Sequence, residues 1–443
     1  MKQYDLIVIG SGPGGQEAAA RAASEGKSVA LIEKGLLGGT CLNRGCIPTK
    51  CLCAAAERLW NASHSEEFGI VCEGIHADFG AAARRAHEIV ASIRQDVSNA
   101  FADIDVFQGE ARVAEGRTVV VGANFLKGRE IIIATGSKPA PFPAPGAEYV
   151  ENSDDFLLRE TLPESVVIVG GGVIGLEFAS VISSFGVPVT VVEFCPEILP
   201  GFDAEVAKRL RSYLGRHGIK FAVGARVIAV EKTENILTVR YESRGKEISV
   251  SAETVINATG RRPVLPEGLE EAGIKLTARG FIETDENFTT TAPGVFAIGD
   301  VNGRCMLAHA ASAQARVVTG KDVHPGVIPA VVFTNPECAS VGHCVADSDA
   351  FKAAKVPYSA NGKALAAGED EGFVKLVYDA SSGVITGCQA LGAHAGDLVA
   401  VATLAIDRGM TVADLAVNTV AAHPTFSELL QTAAAAAVRA MRN

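Results

Sequence analysis

Short unbroken apolar runs, each interrupted by glycine, set the pattern of the first half of the chain. Leu6-Ile7-Val8-Ile9 runs directly into Gly10-Ser11-Gly12-Pro13-Gly14-Gly15, an alanine-rich stretch follows, and Ser28-Val29-Ala30-Leu31-Ile32-Glu33 ends the segment. This order predicts a strand, a glycine turn, a helix and a second strand. Val166-Val167-Ile168-Val169, the turn Gly170-Gly171-Gly172-Val173-Ile174-Gly175, a second helical stretch and Val189-Thr190-Val191-Val192-Glu193 repeat it. The separation from Gly10 to Glu33 equals that from Gly170 to Glu193, so the chain carries two copies of one βαβ unit.

Between the copies lie Pro139, Pro141, Pro143 and Pro145, a stretch that suits neither a helix nor a central strand and reads as a linker. After the second copy, Arg226 to Glu231 and Ile236 to Tyr241 alternate in the manner of an antiparallel meander. Beyond about Gly326 the texture changes. Ala330-Val331-Val332-Phe333 and Phe373-Val374-Lys375-Leu376-Val377 read as strands, and Ala395 to Arg408 and Thr425 to Met441 as helices. This last part is expected to be a separate α+β domain without a nucleotide motif.

Composition narrows the setting. A chain of 443 residues exceeds what one core supports. It is 48% hydrophobic, yet no uninterrupted apolar run reaches the roughly 18 residues of a membrane helix, and no membrane partner is expected. The N-terminal apolar run is too short for a signal peptide and ends in glycines, which predicts a cytoplasmic protein. The net charge of −11 argues against a nucleic-acid partner. Ten cysteines in such a chain are expected to be mostly reduced, so any disulfide is catalytic rather than structural.

In each turn the first glycine (Gly10, Gly170) permits the sharp bend, the second (Gly12, Gly172) lets backbone approach a pyrophosphate, and the third (Gly15, Gly175) lets helix pack on strand. Glu33 and Glu193 are placed to accept hydrogen bonds from ribose hydroxyls. Phe194, Cys195 and Pro196 follow Glu193 and offer no basic group to a 2′-phosphate. Like charges about 4 Å apart repel by about 4 kcal/mol at an effective dielectric near 20, so the second unit should prefer NAD to NADP.

Cys41 and Cys46 lie in Gly38-Gly39-Thr40-Cys41-Leu42-Asn43-Arg44-Gly45-Cys46-Ile47-Pro48-Thr49-Lys50, ahead of a helix expected over Lys50 to Trp60. They read as a redox-active disulfide, with buried inert thiols as one alternative. A metal site with Cys51 and Cys53 is the other, but the spacings match neither zinc pairs nor common iron–sulfur runs, and no metal is expected. A helix N-terminus beside Cys46, with Lys50 near, favours a thiolate. His423 stands five positions before Glu428, and a carboxylate on one ring nitrogen would raise the basicity of the other.

With these motifs stand Ala134-Thr135-Gly136, Ala258-Thr259-Gly260-Arg261-Arg262-Pro263, Val295-Phe296-Ala297-Ile298-Gly299-Asp300 and His423-Pro424-Thr425-Phe426-Ser427-Glu428. In that order they resemble the pyridine nucleotide–disulfide oxidoreductases over essentially the whole length. The resemblance implies an α/β fold with two Rossmann-like domains of glutathione-reductase type. FAD would be bound by residues 1–145 and 266–325, NAD by residues 146–265, and dimerisation would fall to residues 326–443. It implies that Cys41 exchanges with substrate and Cys46 lies against the flavin. Lys50 would sit beside the reactive flavin nitrogen, paired with Glu177. Gly109, Thr135, Gly136, Ser137, Asp300 and the stretch from Met306 to His309 would line FAD, and Val227 and Gly260 would border NAD. His423 and Glu428 would act as the acid–base pair on the dithiol, supplied by the second subunit of a homodimer.

The activity so implied is oxidation of protein-bound dihydrolipoamide by NAD, with a lipoyl-bearing protein of a 2-oxoacid dehydrogenase or glycine cleavage system as partner. Another disulfide reductase of the family, acting on glutathione or mercuric ion, is the nearest alternative, and a binding subunit of a multienzyme complex is a further one. Arg44 stands where a valine is common in the family and leaves the substrate less defined.

Overall fold

The computed structural model describes residues 1–320, 324–344 and 350–442. Residues 321–323, within the expected 266–325 segment, and residues 345–349 and 443, within the expected dimerisation segment, lie outside the described residues.

Each apolar run forms a strand because it is buried on both faces. Lys2–Ile9 lies parallel to Val29–Glu33 on one side and to Asn124–Ile133 on the other, and Ile7, Val8, Leu31 and Ile132 are fully buried there. Burial on both faces is what a parallel sheet covered by helices requires. Asp105–Gln108 extends the sheet beyond Val29–Glu33, and Val295–Ala297, far along the chain, pairs with the end of Asn124–Ile133. The second copy builds a separate parallel sheet in the order Lys220–Val223, Val189–Glu193, Val166–Val169, Thr254–Asn257 and Glu151–Asn152. An antiparallel meander, Ala225–Thr233, Ile236–Ser243 and Lys246–Ala252, is attached to it.

The proline-rich stretch is not wholly a linker. Ser137–Pro139 pairs antiparallel with Arg261–Pro263, so the chain leaves for the second sheet and returns through one short ladder. Pro139 is tolerated there because it ends its strand at an edge. Near the C-terminus, Ala330–Val332, Cys338–Gly342, Ile385–Leu391, Phe373–Asp379 and Phe351–Pro357 form a five-stranded antiparallel sheet. The helix Ala395–Asp407 packs on Cys338–Gly342 and Ile385–Leu391, and Glu428–Arg442 packs on Phe351–Pro357 and Phe373–Asp379. The last helix begins at Glu428 rather than Thr425, because Thr425 donates its N–H to the Glu428 carboxylate in a turn. Lys375 Nζ reaches Asp203 at 2.6 Å and closes the C-terminal sheet onto the second nucleotide unit. Among the described residues, no helix is long and apolar enough to cross a membrane.

Candidate active site

The two glycine turns meet the same steric demands. Gly10 has φ +102°, and a Cβ there would lie 2.4 Å from the Ala134 carbonyl oxygen, while a Cβ on Gly15 would lie 1.9 Å from the Gly10 oxygen. In the second unit Gly170 has φ +115°, and the matching approaches are 2.3 Å from Gly170 to Ala258 and 2.0 Å from Gly175 to Gly170. A Cβ on Gly12 or Gly172, by contrast, meets nothing within 4 Å. These two glycines are the N-caps of the helices Pro13–Ser24 and Val173–Ser184, and the N–H groups of a helix's first turn have no intrahelical partner. The residues therefore fit a phosphate-bearing ligand at each turn. Replacing Gly175 by alanine is expected to lower the thermal midpoint by roughly 5 °C or more through the clash. Gly172→Ala is expected to leave the midpoint in place, and scanning calorimetry of the two variants separates the cases.

Glu33 and Glu193 sit alike. Glu33 Oε2 accepts from the Ser11 N–H (2.9 Å) and hydroxyl (2.7 Å), and its Oε1 from the Gly35 N–H (2.8 Å). Glu193 Oε2 accepts from Gly171 N–H and its Oε1 from Cys195 N–H (2.6 Å). Each carboxylate is fixed by two backbone N–H groups, Glu33 also by the Ser11 hydroxyl, and each keeps acceptor capacity for a ligand hydroxyl. Gly109 follows the edge strand and donates its N–H to the Glu33 carbonyl (2.9 Å).

The cysteine segment is two helices broken at one glycine. Cys41 lies in the short helix Gly39–Arg44, and Gly45 turns the chain so that Cys46 is the first residue of the helix Cys46–Ser63. That helix starts four residues before the expected Lys50. Its Pro48 falls in the first turn, where no intrahelical N–H is required, so proline permits the early start. A Cβ on Gly45 would lie 2.9 Å from the Thr40 oxygen, so this turn requires glycine.

Cys41 and Cys46 are both thiols, and the Cys41 thiol donates to the Cys46 sulfur. That hydrogen bond, followed by the charge of Lys50, lowers the Cys46 thiol to about 7 against the opposing effect of burial. The same bond and burial push Cys41 strongly upward. The pair is therefore asymmetric, with Cys46 the more readily ionised of the two. Cys53, in the same helix, is pushed up to about 12 by burial. Cys41 also lines a cleft of about 310 Å³ together with Gln16, Leu42, Ile47, Ile93 and Val97.

Lys50 Nζ lies 2.9 and 2.8 Å from the two Glu177 oxygens, and Glu177 is buried on the helix Val173–Ser184. Phe333, from the C-terminal part of the chain, completes this junction. Its N–H donates to Glu177 Oε1 at 3.0 Å, and Lys50 Nζ lies 4.6 Å from the centre of its ring.

Asp300 accepts from the Ser137 hydroxyl (2.5 Å), which in turn accepts from Arg261 Nε (2.7 Å). Thr135 donates its hydroxyl to the Val264 carbonyl (2.5 Å), and Gly136 has φ +69°. His309 Nε2 lies 2.7 Å from the Pro329 carbonyl, on the first turn of the helix Ala308–Thr319 that Met306 precedes. Val227 is on the meander, half-buried against the second sheet. Gly260, at φ +117°, faces open space beyond the strand Thr254–Asn257.

His423 Nδ1 lies 2.9 Å from Glu428 Oε1, and its side chain is 81% exposed. The bonds from His423 and Thr425 hold the Glu428 carboxyl below its usual range. Among the described residues, no hydrogen bond or ion pair joins His423 to the cysteine segment of its own chain. Sequence reasoning missed Ser11, Phe333 and the Arg261–Ser137 bond. Ser11 sits within the glycine turn and could have been read as a hydroxyl beside Glu33. Arg44, in doubt from the sequence, places its Nε 3.6 Å from Asp154 of the helix Ser153–Phe156.

Residues 4–315 match the family model described as pyridine nucleotide-disulphide oxidoreductase, and residues 328–434 match the dimerisation domain of the same family. A dihydrolipoyl dehydrogenase of Geobacillus stearothermophilus is 39% identical over 98% of this chain and 96% of its own length. One from Bacillus subtilis is 38% identical over 98% and 97%. Among solved structures, the HOCl-induced flavoprotein disulfide reductase RclA from Escherichia coli, as its Cu(II) complex, superposes with a TM-score of 0.87 at 28% identity, covering 98% of this chain and 99% of that one.

Proposed function

The chain belongs to the pyridine nucleotide-disulphide oxidoreductase family, and within it we propose an FAD-dependent enzyme that oxidises dihydrolipoamide to lipoamide with reduction of NAD. The observation that carries the reading is the asymmetric Cys41–Cys46 pair at a helix start, between two glycine turns. Cys41, the thiol that lines a cleft with aliphatic Leu42, Ile47, Ile93 and Val97, receives the substrate.

In the oxidised enzyme Cys41 and Cys46 form a disulfide. His423 Nε2, with its ring oriented by Glu428, takes a proton from a substrate thiol. The resulting thiolate attacks the Cys41 sulfur, a mixed disulfide forms, and Cys46 leaves as the thiolate that Lys50 stabilises. The second substrate thiol then displaces Cys41, and the substrate departs as a cyclic disulfide. FAD, when bound, would supply the acceptor for the electron pair of the dithiol and the donor of a hydride to NAD. Gly10, Gly12, Gly15, Glu33, Gly109, Thr135, Gly136, Ser137, Asp300, Met306 and His309 would hold FAD, and Gly170, Gly172, Gly175, Glu193, Val227 and Gly260 would hold NAD.

The same reading assigns residues 1–145 and 266–325 to one FAD domain, 146–265 to NAD, and 326–443 to a dimer interface. The partners are a second copy of the chain and a lipoyl-bearing protein of a 2-oxoacid dehydrogenase or glycine cleavage system, and the enzyme works in the cytoplasm. Steady-state assays with lipoamide against glutathione, and NAD against NADP, test the reading. NAD is expected to exceed NADP in kcat/KM by roughly a hundredfold or more, because the buried Glu193 carboxylate repels a 2′-phosphate. Turnover of glutathione at a rate matching lipoamide would overturn the assignment.

A further inference from the structure

Lys50 is held from three directions, and one of them belongs to neither nucleotide unit. The helix Cys46–Ser63 carries the ammonium, and the helix Val173–Ser184 supplies Glu177. The third contact comes from Phe333, which follows the strand Ala330–Val332 of the C-terminal sheet. Phe333 acts on both members of the ion pair. Its N–H occupies Glu177 Oε1 at 3.0 Å, and its ring lies 4.6 Å from Lys50 Nζ. Two residues on, the Asn335 N–H donates to the Ser180 hydroxyl at 3.2 Å, which pins the same loop one helical turn further along.

We propose that Phe333 is a positioning residue for the redox dithiol: docking of the C-terminal sheet fixes the Lys50 ammonium between the Glu177 carboxylate and an aromatic face, and so sets the charge presented to Cys46. A two-oxygen carboxylate alone leaves a lysine free to swing about it, because an ammonium binds as a point charge without a preferred plane. An aromatic face on the other side removes that freedom, since the ring quadrupole attracts the cation along one direction. The Phe333 N–H contributes in the same sense by fixing the carboxylate at Oε1, one of the two oxygens that accept from Lys50. The charged groups acting on or near Cys46 are Lys50, which favours its thiolate, Glu177, which opposes it, and Arg261, with the Cys41 thiol beside them. A small displacement of Lys50 therefore changes the balance between attraction and repulsion at one sulfur.

The inference rests on the reading of Cys46 as the thiolate of the pair, and the test separates the two. In FAD-loaded protein carrying Cys41→Ser, the rate of Cys46 alkylation by iodoacetamide is followed against pH. If that parent shows no titration below the ordinary thiol range, the reading of Cys46 fails. If it does, Phe333→Leu, which keeps apolar volume and the backbone N–H but removes the ring, is expected to slow alkylation at pH 7 by about threefold. Phe333→Tyr, which keeps the ring, is expected to retain the parent profile. In a Lys50→Met background the leucine change is expected to have no further effect, because the contact through which it acts is gone. An unshifted profile in Phe333→Leu, or the same shift with and without Lys50, would overturn the proposal. Should the leucine variant fail to fold, Phe333→Met supplies the same comparison.

Discussion

Replacing Cys46 by serine is expected to lower the rate of dihydrolipoamide oxidation by about a thousandfold or more, as loss of a group that forms and breaks a covalent bond does elsewhere. The same change should remove the long-wavelength absorption that a thiolate beside an oxidised flavin gives on addition of dithiol. Cys41→Ser is expected to be equally inactive yet to keep that absorption, because Cys46 is the thiol whose ionisation is favoured and Cys41 the one whose ionisation is opposed. The two variants thus separate by spectrum where they agree in rate. The absorption should also titrate. The Cys46 thiol is held below its ordinary range by the Cys41 thiol and Lys50, so the thiolate persists to lower pH than that of a free cysteine and is lost as pH falls further. If serine at Cys46 preserved the band, the roles of the two sulfurs would be reversed.

His423→Gln is expected to reduce turnover of dihydrolipoamide by about 10²- to 10⁴-fold, the range for a positioned proton acceptor. Flavin content and the Cys46 thiolate should be unaffected, since the ring is exposed and bonds within its own turn to Glu428. In the proposed homodimer the proton acceptor for one dithiol is His423 of the second copy, exposed and oriented by its own Glu428. Mixing subunits that carry Cys46→Ser with subunits that carry His423→Gln then restores activity, because the mixed dimer contains one site with both groups intact. Two inactive proteins that stay inactive after dissociation and reassociation would place His423 outside the reaction.

Much of this was legible in the chain because the relevant signals are local. The strands around Leu6 to Ile9 and Val166 to Val169, and the clash that makes Gly15 and Gly175 necessary, follow from a few adjacent residues. The pairing of His423 with Glu428 is likewise local, since five residues and one turn separate them. Local rules also explain one misjudged boundary. The helix expected from Lys50 starts at Cys46, and a first-turn proline at Pro48 is compatible with that start. What remained hidden depends on parts of the chain that meet only on folding. The N–H of Phe333 carries no sequence signal, and its partner Glu177 lies 156 residues away. Arg44 could be noticed as unusual, but Asp154 as its partner could not be foreseen, because nothing in a linear pattern ties a residue between two cysteines to a short helix beyond the proline stretch. The ladder between Ser137–Pro139 and Arg261–Pro263 was hidden for the same reason.

The duplicate glycine turns carry a consequence for residence time. Gly10 and Gly170, Gly12 and Gly172, Gly15 and Gly175 present the same backbone to a ligand, and Glu33 and Glu193 are anchored by the same pair of backbone positions. A pyrophosphate with its ribose meets equivalent surroundings at both, so neither turn can decide which dinucleotide stays and which leaves. That decision falls to the opposite half of each ligand. Beyond the first turn stands a finished polar wall, with Ser137 already bonded to Asp300 and Lys50 already bonded to Glu177. Gly136 and Gly260, which follow the matching strands of the two units, both face open space, so the glycines do not separate the two sites and the polar pairs do. Under the proposed assignment, the dinucleotide that is retained is the one whose far half meets those polar pairs.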